Sequence, residues 1–161
     1  MTAILVTGMS GTGKSTVLAE LERRGHRVVD TDYGDWIEDV PHAGEARTEP
    51  LWREDRIDAL LDGHADGALF IAGCVANQRR FYPRFKAVVL LSAPEEVLLT
   101  RIASRRTNDY GKTDAERALI LDDLHTVEPL LRAGASAEID TRRPVGEVAD
   151  VLESIAGVSR A

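Results

Sequence analysis

Gly8-Met9-Ser10-Gly11-Thr12-Gly13-Lys14-Ser15-Thr16 is the stretch that decides the fold. It satisfies G-x-x-x-x-G-K-[ST] through Gly8, Gly13, Lys14 and Ser15, and Gly11 adds a third glycine. Its context fits the motif: Ala3-Ile4-Leu5-Val6 reads as a short buried strand, and Val17 to Glu22 has helical composition that stops near Gly25. Glycines let the backbone curl so that successive N–H groups converge on phosphate oxygens. The helix opening at Lys14 adds the positive end of its dipole. Gly8 and the run from Ser10 to Thr16 therefore imply a bound nucleoside triphosphate. Lys14 would reach its outer phosphates and Ser15 would ligate Mg²⁺. ATP is the default nucleotide, since no strong guanine-reading motif accompanies the loop.

Working outward, short apolar runs alternate with helical patterns. Gly25 to Asp32, a turn and short strand ending in two aspartates, and Ala68 to Ala72, Ala87 to Leu91 and Ala135 to Ile139 read as four further strands. Helices are expected over Glu49–Leu61, briefly over Asn77–Phe85, from Pro94 to about Arg106, from Thr113 to about Arg132, and from Pro144 to about Ile155. Thr113 to Glu116 has capping-box spacing. Tyr33 to Pro50 is polar, acidic and broken by Pro41, Gly44 and Pro50, and reads as irregular. The alternation predicts a three-layer α/β/α domain spanning 1–161, with a five-stranded parallel sheet whose ligands bind beyond the strand carboxyl ends. Gly8, the Asp30/Asp32 pair and Gly73 would meet at that rim.

Two further signals bear on chemistry. Asp30 and Asp32 stand two apart, so on a strand both carboxylates share a face. One could hold the metal's hydration shell, and the other could orient or deprotonate an attacking hydroxyl. Arg101 and Arg105 lie one helical turn apart and lead into a polar loop containing Asn108, Tyr110, Gly111 and Lys112. Arginine forks on a mobile lid, about 104–114, would neutralise a transferring phosphoryl group.

With these motifs in place, the sequence resembles the small P-loop kinases of the shikimate, gluconate and adenylate kinase group over nearly its whole length. The resemblance implies that Asp30 sits near the metal and Asp32 contacts an acceptor hydroxyl. Trp52-Arg53 resembles an aromatic-arginine pair, making Arg53 an acceptor-binding candidate. Ala72-Gly73-Cys74 occupies the place of a glycine-rich strand end, which puts Gly73 at the acceptor. Arg101 to Lys112 resembles the lid, and Ile139 to Pro144, with Arg142 and Pro144, resembles the loop that lies against adenine. Gly73-Cys74-Val75 replaces a run of three glycines, Arg56 stands where a glutamate belongs, and the lid lacks an arginine-proline-leucine pattern. These departures argue against shikimate as the acceptor.

The acceptor segment, about 33–62, holds Tyr33 and both tryptophans, Trp36 and Trp52, in a chain only 5% aromatic. Trp36 is the candidate for stacking on an acceptor ring, whereas Trp52 serves equally well as core. Its acids, including Glu45 and Glu49, stand against Arg47, Arg53 and Arg56 and favour a neutral or amphoteric acceptor. Arg79 or Arg80 could also touch it. Cys74 reads as a buried small residue, and Asp122-Asp123 as a solvated face. A net charge of −7 carries no nucleic-acid or membrane footprint, and one cysteine excludes an internal disulfide. With no signal-peptide or membrane-spanning pattern, a cytoplasmic monomer or homodimer is expected. The reading is an ATP- and Mg²⁺-dependent kinase acting on a small-molecule hydroxyl. Its alternatives are a nucleoside monophosphate kinase and a slow nucleotide-hydrolysing regulatory module.

Overall fold

The computed structural model describes residues 2–44, 46–106 and 109–158. Five parallel strands form one sheet: β1 (Thr2–Thr7), β2 (Arg27–Asp30), β5 (Ala68–Ala72), β6 (Ala87–Ser92) and β7 (Ala137–Asp140), in the order β2-β5-β1-β6-β7. β1 is central and apolar between its terminal threonines, with Ile4, Leu5 and Val6 at zero exposure, because a strand covered on both faces has no solvent side. On one face Ile4, Val6, Phe70 and Val89 pack beneath α1 (Lys14–Arg23) and α6 (Val145–Ala156). On the other, Leu5, Leu69, Ile71 and Val88 pack with Trp52, Ile57 and Phe81. The five strands and the three layers agree with the sequence reading.

β2 does not adjoin β1, because β5 lies between them. The acids still reach the rim, since β2 is in parallel register with β5 (Asp30 opposite Ala72) and β5 with β1 (Ala72 opposite Val6).

Between β2 and β5 the expected irregular segment is an antiparallel hairpin, β3 (Ile37–Pro41) and β4 (Thr48–Trp52). Pro41 and Pro50 looked like breakers, but a two-stranded ribbon has an open edge on each strand, where a missing N–H costs no ladder bond. The following helix, α2 (Glu54–Asp62), consequently starts later than expected, with Leu51 and Trp52 in the strand. Ala76–Arg84 is a 3₁₀ helix, and α3 spans Glu95–Ser104. The helix expected from Thr113 to Arg132 is two: α4 (Asp114–Thr126) and α5 (Glu128–Gly134). Pro129 stands at the break, where its missing N–H and fixed φ suit the first turn of a new helix. The capping box at Thr113 is present: its hydroxyl accepts from the Glu116 N–H at 3.1 Å, and its own N–H donates to Glu116 Oε1 at 3.3 Å.

Arg24 ties α1 to α6. Its guanidinium is almost wholly buried and donates to Glu20, Asp150, Glu153 and the Gly146 carbonyl at 2.8–3.0 Å. Removing one member of a buried ion cluster leaves the others uncompensated. Arg24→Met should therefore lower unfolding stability by about 3 kcal/mol in urea titration. The Glu20 carboxyl is held down at about 2 by its bonds to Arg23 and Arg24. A carboxyl depressed on folding stabilises the fold above its unfolded value and ceases to do so as pH falls through the folded one. Wild type should thus lose stability between about pH 4.5 and 2, and the Arg24→Met curve should be flatter there.

Candidate active site

The phosphate loop is shaped by packing beneath it. A Cβ on Gly8 would lie 2.5 Å from the Leu91 carbonyl oxygen and 2.8 Å from Thr12 Oγ1, so only glycine lets the end of β1 pass that close to β6. Gly11 and Gly13 have φ of 83° and 95°, a region glycine enters without strain, and they turn the chain into α1. Buried Thr12 closes the loop, its hydroxyl donating to the Met9 carbonyl at 2.8 Å. The first N–H groups of α1 have no carbonyl within the helix and face the loop.

Lys14 projects into this concavity, and its ammonium donates to the carbonyls of Gly8 (2.5 Å) and Met9 (3.1 Å). Burial pushes its pKa below the ordinary lysine value, opposed by the nearby Cys74, Asp32 and Asp30 and reinforced by Arg105. Ser15 Oγ donates to Asp30 Oδ2 at 2.6 Å, so the hydroxyl of the loop and the first acid already meet. Two hard oxygen donors side by side can hold a magnesium ion whose other ligands are phosphate oxygens and water.

The acids do not share a strand face. Asp30 ends β2, whereas Asp32 lies in the turn beyond it, where its N–H donates to Asp30 Oδ1 at 3.1 Å. Thr31 anchors that turn from below: its hydroxyl donates to the Ala72 carbonyl at 2.7 Å and accepts from Trp52 Nε1 at 3.0 Å. Surrounding protein raises the Asp32 pKa above the usual carboxylate range, with Lys14 opposing and Asp30 adding to the rise.

Three cavities line up along the rim. A chamber of about 450 Å³ is lined by Ser10, Lys14, Ser15, Asp32, Arg101 and Arg105, among others. A second, about 280 Å³, continues past Thr12 and Thr16 to Arg101, Arg142 and Val145. A third, about 610 Å³, opens on the opposite side of Lys14. It shares Ser10, Lys14 and Asp32 with the first.

Arg101 and Arg105 both border the first chamber, as their spacing suggested. Arg101 is fixed: it donates to the Gly11 carbonyl (3.2 Å), Thr141 Oγ1 (3.0 Å) and the Thr141 carbonyl (2.6 Å). Arg105 follows the end of α3 and donates to the Tyr110 carbonyl at 2.6 Å. Described parts of the expected lid are anchored, with Lys112 on the carbonyls of Ala103 and Arg105 and Gly111 against Ile102 and Ile120. Thr107 and Asn108 of that lid, and Glu45 of the acceptor segment, lie outside the described residues.

Other expected residues are placed elsewhere. Arg142 borders the second cavity, its guanidinium held by Asp140 at 2.6 Å, while Pro144 caps α6 and Val145 takes the lining position. Gly73 faces Thr31 and Trp52, 2.5 and 3.0 Å from where its Cβ would be, and the neighbouring Cys74 and Val75 line the third cavity instead. Trp36 packs against the core beside Trp52. Arg53 pairs with Asp35 and Glu38, and Arg56 with Asp35. Neither Trp36 nor Arg53 lines any of these three cavities. Of the Arg79/Arg80 pair, Arg79 lines the third cavity and Arg80 pairs with Glu54.

The sequence reading missed Tyr82, Val127, Leu130 and Leu131 as cavity residues; Asp123, read as a solvated face, is exposed and also borders the third cavity. Pro129 within the expected long helix was the available signal that the chain turns there. Cys74, read as buried, is half-exposed on the cavity wall, its thiol pushed up by burial and so kept protonated.

A central parallel sheet with a glycine-rich loop, a buried lysine and an adjacent acid defines a P-loop nucleotide-binding protein of the shikimate kinase-like fold. Residues 4–122 match the AAA domain family, and the chain belongs to that family. A nucleotide-binding protein of Thermosipho melanesiensis is 28% identical over 120 residues, 73% of this chain, and the chain spans 40% of that relative's length. Shikimate kinase from Acinetobacter baumannii in complex with shikimate superposes with a TM-score of 0.64 at 18% identity, covering 98% of this chain and 94% of that one. A gluconokinase from Sinorhizobium meliloti 1021 gives 0.57 at 22%, covering 97% and 91%. Both share the fold.

The buried Lys14 ammonium makes a direct test. Lys14→Met should weaken Mg·ATP binding by at least about tenfold in calorimetric titration, the worth of a charge-assisted hydrogen bond, with circular dichroism unchanged.

Proposed function

We propose that this protein transfers the γ-phosphoryl group of ATP to a hydroxyl of a small molecule. One observation carries the reading: two separate chambers meet at Lys14 and Asp32, one behind the phosphate loop and one on its far side. A hydrolase needs room for water at that junction, whereas a chamber of about 610 Å³ is room for a second substrate. The kinase structures that share the fold support the same reading.

In this reading the loop N–H groups and Lys14 hold the β- and γ-phosphates, and Arg101 and Arg105 lie along the chamber to meet charge on the transferring group. Arg142 and Val145 border the place of the base. Ser15, with Asp30 beside it, would hold Mg²⁺, which would supply charge neutralisation to the phosphates. Asp32 orients the acceptor hydroxyl and takes its proton as the oxygen bonds to the γ-phosphorus, while the bond to the bridging oxygen of ADP breaks. Its raised pKa makes it a better base than an ordinary carboxylate. The protein is expected to work in the cytoplasm, without nucleic acid or membrane, as a monomer or homodimer. Among the described residues no helix is long and apolar enough to cross a membrane. A monophosphate acceptor would call for several arginines on the chamber, whereas Arg53 and Arg56 are paired with Asp35 and Arg79 is the one guanidinium among the residues lining the third cavity.

ADP release on a panel of hydroxylated metabolites should be acceptor-dependent, and purely acceptor-independent release would refute the proposal. Asp32→Asn should lower kcat by about 100-fold or more while Mg·ATP still binds. A base works only when deprotonated, so kcat should fall on the acid side at a pH above the usual carboxylate range. That limb should vanish in Asp32→Asn.

A further inference from the structure

The walls of the 610 Å³ chamber limit what can occupy it. Gln78 is the polar side chain deepest in its floor, at 1% exposure, and its hydrogen-bonding capacity is committed. Its amide nitrogen donates to Thr7 Oγ1 (3.0 Å) and Tyr82 Oη (3.1 Å), and its oxygen accepts from the Val75 N–H (3.0 Å). Over Gln78 a bound hydroxyl therefore finds at most one spare acceptor site, and a hydroxyl left unpaired there loses the water it gave up.

One side of the wall is apolar. Met9 and Leu131 belong to a small buried cluster with Leu90, on which Cys74 and Val127 pack. Leu130 stands on the chamber with 59% of its surface exposed, a large apolar side chain that an apolar ligand would cover favourably. Beyond Lys14 and Asp32 the charged residues of the wall are Glu49, Asp123 and Arg79, two carboxylates against one guanidinium. Burial raises the Asp123 pKa, with Asp122 adding to it, so this carboxylate gains from a nearby cation and loses from an anion.

We propose that the acceptor is an alcohol with an apolar body and no net negative charge. Its body lies on Tyr82, Val127, Leu130 and Leu131 while its hydroxyl reaches Asp32. This rests on the phosphotransferase reading above and narrows its substrate class. Leu130 is then a specificity-determining residue, although it takes no part in the chemistry.

The test compares phenylpropanol, phenylalaninol and phenyllactate, which share a phenylpropyl frame, with glycerol and sorbitol, using Mg·ATP and ADP release. The uncharged and amine-bearing phenyl alcohols should exceed phenyllactate and both polyols by about tenfold or more in kcat/KM. Leu130→Glu, at an exposed helical position where folding is not at stake, should raise the KM of the phenyl alcohols by about tenfold and that of ATP by less than about twofold. Preference for a polyol or for the carboxylate, or an unchanged KM in Leu130→Glu, overturns this proposal and leaves the phosphotransferase standing. Turnover with none of the five, beside unchanged acceptor-independent hydrolysis, overturns both.

Discussion

An ammonium drawn into the phosphate-loop concavity at the head of α1 is the constraint around which the site is built. Lys14 is forced inward by the turn at Gly13, and burial costs its charge much of its hydration. Two loop carbonyls and two nearby aspartates offset part of that cost. A polyanion in the same concavity is the stronger complement, because the loop N–H groups and the helix dipole favour it too. Electrostatics and backbone geometry thus select one kind of ligand. Both depend on a packing detail, the absence of a side chain at Gly8 where β1 ends against Leu91.

The second acid is positioned by a device remote from any charge. Thr31 is buried between Asp30 and Asp32, and its hydroxyl joins the end of β5 to the Trp52 indole. Gly73 leaves the room that this arrangement needs. Trp52, Thr31 and Gly73 therefore act on the site through Asp32, as positioning residues. Arg101 does a similar service on the nucleotide side, where one guanidinium binds the phosphate loop to the loop after β7. Arg101 and Arg105 look equivalent in sequence, yet Arg101 is held by three acceptors on two loops, whereas Arg105 follows the end of α3 and donates to the Tyr110 carbonyl.

The sheet and the phosphate loop were legible in the sequence because each rests on local patterns: apolar runs of strand length and glycines at fixed offsets. Strand order was not, since nothing within β2 records that β5 will lie between it and β1. The hairpin was hidden by Pro41 and Pro50, whose penalty disappears on an edge. Trp36 and Arg53 were read as acceptor contacts from composition and resemblance. Composition cannot show that the Arg53 charge is already met by Asp35 and Glu38. Leu130 and Val127 were invisible for a related reason: apolar residues in a helical run read as core, and only the turn at Pro129 brings them to a cavity.

The two chambers are built from different parts of the chain, and this separates reaction from selectivity. The nucleotide side comes from the strand ends, α1 and α3, with the strands and α1 locked together by a large apolar cluster. The far side is walled by the hairpin, the 3₁₀ helix and the α4–α5 junction, which lie outside the sheet. Leu130 and Arg79 are exposed, so their exchange would cost little stability while altering what the chamber accepts. Asp32 is the point at which the two halves meet. In the proposed transfer a change of acceptor must still deliver its hydroxyl to that one carboxylate, and this geometric demand, more than the chemistry of the walls, would limit how far the chamber can be redesigned.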